Sequence, residues 1–182
     1  MALVTTSADP TIPGTAAAVP RGLDSLMIAR ATPAHVPYLR RLKEAVMSER
    51  YRPAPDEEGF AKWREVYCTD EYFEDIIADP SAMLLCIGTL RDPVGMVVLR
   101  RSDDHLEIDD LLVMQPRQGD GSRLLVAALR YAEVWRSDDV HIDVYPGHDG
   151  VERFLAEHGF TDAGETANDL GRPMRRWERA IT

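Results

Sequence analysis

The chain has 182 residues, 45% hydrophobic and 29% charged, enough for one domain with a sizeable core. Its net charge of −10 argues against nucleic acid as the main partner, since phosphate backbones are held by clustered Lys and Arg. With no apolar run near 18 residues there is no candidate membrane-crossing helix.

Residues 1–24 are rich in Thr, Ala, Pro and Gly, lack a signal-type apolar core, and read as a flexible tail ahead of one domain over 25–182. "SLMIARA" (Ser25 to Ala31) reads as a first strand. Thr32 followed by Pro33 is a helix start, and Val36, Leu39, Leu42 and Val46 recur at helical spacing, so the helix should reach about Glu49. Phe60, Trp63, Val66 and Tyr67 predict a second helix. Thr69 caps a third, short one that Pro80 ends.

The pattern then turns to strands. "AMLLCIGTL" and "PVGMVVLRR" flank "RDP", a hairpin turn, and "SDD" turns again into "HLEIDDLLVM". Past Gly119-Asp120-Gly121, Leu124, Leu125, Ala128, Leu129, Ala132 and Trp135 form a helical stripe. "VHIDVY" is a strand, "GVERFLAEHG" a helix ended by Gly159, and "RPMRRWERAI" a last strand. The sum is six strands and five helices in a mixed α/β sheet. Cys68 and Cys86 fall in unlike contexts and are expected to be free, which suits a reducing cytoplasm.

A strand running into Gly-x-Gly and then a helix has a physical use. The first turn of a helix leaves N–H groups unpaired and carries partial positive charge, and glycines let an anion approach. Arg117 and Arg123 flank the turn. The same pattern also suits a plain glycine turn. A nucleotide-triphosphatase loop is excluded by the missing Gly-Lys-Ser/Thr, and a dinucleotide fingerprint by Leu124 in place of the third glycine.

The arrangement resembles the GNAT N-acetyltransferase family over roughly residues 26–180. "LLVMQPRQGDGSRLL" is similar to the family's acetyl-CoA signature, and "VYPGHDGVERFLAEHGF" to its second conserved block. The resemblance implies a mixed, mostly antiparallel sheet flanked by helices, with acetyl-CoA as cosubstrate. It implies that the backbone of Leu111, Leu112 and Val113 pairs with the pantetheine arm. It also implies that the loop of Arg117, Gln118, Gly119, Asp120, Gly121 and Ser122 takes the pyrophosphate. The family's Gln/Arg position is Pro116 here, and its asparagine in the second block is His148, a further candidate for contact with the cosubstrate. Its tyrosine general acid falls on Leu155, which cannot donate a proton.

Acetyl transfer to an amine needs a group to take the amine's proton and a donor for the developing charge. Strict alternation would put Glu107, Asp109, Leu111 and Val113 on one face of their strand and Ile108 and Asp110 on the other. Glu107 and Asp109, about 7 Å apart on that face, are the candidate bases or substrate anchors, and Asp110 the structural one. Tyr145, ending the next strand, is the first replacement for the missing acid. His105 and His141 lie on strands and are expected to be structural, His35 and His158 fall on helices with no evident partner, and no histidine or cysteine cluster suggests a metal.

The acceptor side should come from the helices between about Met47 and Asp79. There Trp63, Tyr67, Tyr72 and Phe73, with Glu57, Glu58, Glu65, Asp70 and Glu71, would suit a small cationic amine. The expected activity is N-acetylation of a small-molecule primary amine, with no nucleic-acid or membrane partner. Dimers are common in folds of this type, so a homodimer is part of the expectation. Leu155 favours the alternative, an acyl-CoA-binding sensor without turnover.

Overall fold

The structure is a computed structural model that describes residues 27–50, 57–169 and 171–181. The expected N-terminal tail and the first residues of the first strand lie outside them. Among the described residues seven strands form one sheet in the order β1-β2-β3-β4-β5-β7-β6. They are β1 (Ile28–Arg30), β2 (Ala82–Thr89), β3 (Asp92–Arg101), β4 (His105–Val113), β5 (Asp139–Val144), β6 (Thr161–Ala167) and β7 (Pro173–Ala180). Every pairing is antiparallel except β4 with β5.

Five helices among the described residues cover the sheet: α1 (Val36–Glu49), α2 (Glu57–Tyr67), α3 (Asp70–Ala78), α4 (Asp120–Trp135) and α5 (Asp149–Glu157). A 3₁₀ turn, Pro33–His35, precedes α1. His35 closes it, its Nδ1 accepting from the Thr32 backbone N–H at 3.1 Å. Thr69 caps α3 as its sequence suggests, its hydroxyl accepting from the Tyr72 N–H.

The core has two halves, one on each face of the sheet. Leu124, Leu125, Ala128 and Ala132 of α4 pack with Leu106, Ile108, Val140 and Ile142 on one face. Val36, Leu39, Leu42 and Val46 of α1 pack with Leu84, Met96, Val98 and Leu112 on the other. Burying each such side chain contributes about 1.5–3 kcal/mol before the entropy of ordering is subtracted.

Two features depart from the sequence expectation. The first is β6, which was not expected at all. "TDAGETA" has no apolar alternation because β6 is an edge strand, exposed or half-buried throughout. The second is in β4. Val98 pairs with Asp110 while Leu99 pairs with Ile108, so Asp109 is an extra residue, a β-bulge. The bulge switches the alternation. Leu106 and Ile108 pack toward α4, but so do Leu111 and Val113. The expectation that Glu107, Asp109, Leu111 and Val113 share one face is therefore wrong, and Asp110 does not share a face with Ile108.

Cys68 and Cys86 are free and buried in the half-core under α1–α3. Burial pushes the Cys68 thiol up to about 12 and the Cys86 thiol up to about 11. The thiolate is the reactive form, so neither should react with an aromatic disulfide reagent at pH 8 in the folded protein. Two thiols should titrate once denaturant is added, and a spectrophotometric thiol count checks this.

Candidate active site

β4 and β5 pair in parallel only from His105 with Asp139 to Ile108 with Ile142. Beyond that point β4 continues through its bulge to Val113 while β5 ends at Val144. A bulge bends its strand, and here it carries β4 away from β5. The edge of β4 after the bulge thus has no strand partner on the β5 side. It presents backbone N–H and C=O groups to whatever extended molecule lies there.

The gap is the floor of a cleft of about 700 Å³. Leu111, Leu112, Ile142, Val144, Val151 and His148 line it on the strand and α5 side. Val113 and the loop from Arg117 to Ser122 lie beyond that lining, at the surface where β4 hands over to α4. Gly119 there has φ +86 and precedes the first residue of α4. Arg117 also adopts a positive φ, +66. A Cβ at Gly121 would stand 3.7 Å from the Phe154 ring and 4.0 Å from Val113, so Gly121 ties the loop to the end of β4. The first-turn amides of α4 have no partner within the helix. Asp120 is turned toward Arg123, Oδ1 to Nη1 at 3.5 Å.

A side chain at Gly119 meets nothing within 4 Å, so replacing it tests the backbone alone. Gly119→Ala should cost about 1–2 kcal/mol through the left-handed conformation, read as a lowered urea midpoint with unchanged slope.

The opposite wall brings acids and bases together. Glu107, Asp109, Asp110, Asp143 and Tyr145 all line the cleft. Each carboxylate has a cation. Asp109 accepts from Arg100 Nε at 2.8 Å, and Arg100 also holds Asp79 at 3.0 Å. Asp143 accepts twice from Arg176, which reaches Glu107 at 3.3 Å. Asp110 lies 2.5 Å from Lys43 Nζ. Burial nonetheless raises the Asp109 carboxyl above its ordinary 3.8, against the lowering pull of Arg100.

Tyr145 stands just past the end of β5, its hydroxyl accepting from Asn168 Nδ2 at 3.2 Å. Burial raises it from 10.0, so the phenol keeps its proton at neutral pH. Leu155 is fully buried in the half-core under α4 and does not line the cleft.

The acceptor side differs from the sequence expectation. Tyr67, Tyr72 and Trp63 do line the cleft, but Glu57, Glu58, Glu65, Asp70 and Glu71 do not, and Phe73 is buried core. The aromatic faces already hold a cation. Lys43 Nζ sits 4.3 Å from the Tyr72 ring centroid and 5.6 Å from those of Tyr67 and Trp63. Its carrier, α1, lies mostly ahead of the Met47 to Asp79 stretch from which the acceptor side was expected. The signal was present: Lys43 falls on the apolar stripe of α1, four residues after Leu39 and three before Val46. Arg100, Arg176 and Asn168 were also missed, and they carry no local pattern.

Comparison with known proteins bears on this arrangement. The family model described as "Acetyltransferase (GNAT) family" matches residues 41–160. No curated protein matches the sequence. Among solved structures, PaiA N-acetyltransferase from Thermoplasma acidophilum, in complex with coenzyme A, is similar with a TM-score of 0.73 at 16% identity. It covers 86% of this chain and 99% of its own. An acetyltransferase of the GNAT family from Staphylococcus aureus Mu50 has a TM-score of 0.72 at 13% identity, covering 87% and 100%. Aminoglycoside 6'-acetyltransferase type Ii has a TM-score of 0.62 at 15% identity, covering 86% and 97%. These likenesses are of fold, and the match of the family model over most of the chain adds the kinship. The chain belongs to the GNAT acetyltransferase family, whose cosubstrate is acetyl-CoA.

Proposed function

We propose that the protein transfers the acetyl group of acetyl-CoA to a primary amine of a small molecule. The observation that carries this reading is the unpaired edge of β4 after the Asp109 bulge. It runs from a wall of titratable groups at one end to the glycine loop of α4 at the other. In this reading the pyrophosphate lies on the amides of Gln118 to Ser122, with Arg117 beside it. The pantetheine arm adds to β4 along Leu111, Leu112 and Val113 as a strand would. His148, at the head of α5 and in the cleft lining, contacts the cosubstrate.

The thioester carbonyl then lies beside the bulge, and the acceptor amine enters past Tyr67 and Tyr72. Asp109 takes the proton of the ammonium, directly or through water, with Glu107 as its neighbour in the same wall. The amine attacks the carbonyl carbon, the C–S bond breaks, and the thiolate takes a proton from the Tyr145 hydroxyl. Tyr145 replaces the acid that Leu155 cannot supply.

A cationic acceptor is supported by the balance of the cleft. Five carboxylates (Glu107, Asp109, Asp110, Asp143, Asp169) face four cations (Lys43, Arg100, Arg101, Arg176). The aromatic faces do not add to this, because Lys43 uses them.

Release of coenzyme A thiol from acetyl-CoA, measured across a panel of amines, tests the proposal. Turnover with at least one small polyamine or aminosugar is the expected result. Binding of acetyl-CoA with no turnover on any amine would instead identify a sensor of the same fold.

A further inference from the structure

A second cluster lies on the face of the sheet opposite α4, spread over three neighbouring strands. His105 and Glu107 on β4, Asp139 and His141 on β5, and Glu178 on β7 are neighbours in register. His105 pairs with Asp139, Glu107 with His141, and His141 with Glu178. The two imidazoles stack with centroids 4.2 Å apart and planes 22° from parallel. Four carboxylates face them. Asp104 is 2.8 Å from His105 Nδ1, Glu107 is 3.4 Å from His105 Nε2, and Asp139 and Glu178 are 2.9 and 3.7 Å from His141 Nε2.

The charges do not balance. If both rings are neutral, the four carboxylates share, among the described residues, one paired cation, Arg176 on Glu107, and Arg176 is also bound to Asp143. If both rings are charged, two cations stack face to face at 4.2 Å, which is costly. The hydrogen bonding is incomplete as well. Asp139 Oδ1 lies close to His141 Nε2 but makes no hydrogen bond, and His141 Nδ1 is likewise buried without a partner. One ligand atom from each of His105, Asp139 and His141 lies within 4.8 Å of the other two.

We propose that His105, His141 and Asp139 bind a divalent transition metal, with Zn²⁺ the best fit, and with Glu107 or Glu178 completing its shell. Two imidazoles and carboxylates suit Zn²⁺. Zinc ligands about 2.0–2.1 Å from the ion stand roughly 3.3–3.5 Å apart in a tetrahedron, so the ligand atoms must close from their present spacing of up to 4.8 Å, and the stacked rings must turn until their in-plane lone pairs meet at one ion. The ion offsets the surplus negative charge and replaces the unsatisfied contact between Asp139 and His141. The rings are largely covered yet reachable: His105 is 23% and His141 13% exposed. Glu107 belongs to both places, the metal cluster and the wall of the cleft, so an ion here stands next to the acceptor end of the active site.

The test uses the full-length chain, free of any affinity tag and stripped with chelator. Calorimetric titration with ZnCl₂ should give one ion per chain. Co²⁺ should give visible d–d bands that Zn²⁺ abolishes. In the unsubstituted protein, ring proton resonances of His105 and His141 should move on Zn²⁺ addition while those of His35 stay. His105→Gln and His141→Gln should each weaken Zn²⁺ binding at least about tenfold, and His35→Gln should not. No binding by the unsubstituted chain overturns the proposal. So does binding that leaves the His105 and His141 rings unmoved, whatever the substituted chains do.

Discussion

Asp109→Asn should lower kcat/KM by about 10²-fold or more, the contribution typical of a positioned general base. Asparagine keeps the size of the side chain and can still meet Arg100, but it takes no proton. The pH profile separates this role from a structural one. A base works ionised, so the rate should rise with pH through a limb displaced upward from 3.8, the direction in which burial moves this carboxyl. Arg100→Gln removes the hydrogen bond that holds the carboxyl down, and should move the limb to higher pH still. In Asp109→Asn the limb should vanish. Loss of folding does not explain such a result. A carboxyl whose folded pKa is raised contributes stability below its unfolded pKa and loses it as pH rises through the folded one. At neutral pH its ionisation therefore works against folding, and removing it offsets the lost bond to Arg100. An unchanged rate and an unchanged pH limb in Asp109→Asn would rule out this base, leaving Glu107 as the candidate.

How this site could be foreseen, and how it could not, follows from which forces are local. Helices α1, α3 and α4 were legible because apolar residues recur at 3.6 spacing and because Thr69 and Gly119 mark their starts. The glycine loop was legible for the same reason: a backbone that needs φ +86 selects its residue. The Asp109 bulge was not legible. Nothing in "EIDDLL" says which residue will be left unpaired, since β3 decides that by the register it offers. The error spread from one residue to all that follow, and it sent Asp110 to the wrong face. β6 stayed hidden because an edge strand needs no apolar side chains. The His105–His141 cluster is built across two strands, and 35 residues of sequence separate its imidazoles. Spacing rules for metal ligands see local pairs and pass over such a site.

Lys43→Met should destabilise the fold by about 3–5 kcal/mol, the usual result of removing one partner of a buried ion pair. Lys43 is 2% exposed and Asp110 12%. The ammonium is held on three sides: by the Asp110 carboxylate at 2.5 Å, the Tyr72 hydroxyl at 3.2 Å, and the Tyr72 ring face. Methionine fills much of the same volume, so little of the loss comes from a cavity. What remains is a largely buried carboxylate that has lost its counter-charge, with the Tyr72 hydroxyl 3.3 Å away. Burial and Asp110 both raise the Tyr72 phenol well above 10.0, so it can donate a hydrogen bond but brings no charge. The double substitution Lys43→Met/Asp110→Leu should restore most of the stability, because both desolvation costs then disappear together. Urea unfolding of the two single substitutions and the double measures the coupling. A coupling energy near zero would mean that the pair is solvated in the folded protein. A large one would mean that α1 is pinned to β4 at the residue after the bulge. In that case the aromatic wall of the acceptor cleft, Tyr67 and Tyr72 with Trp63 behind them, is held in shape by the protein's own lysine. The acceptor must then be recognised by the carboxylates farther along the cleft.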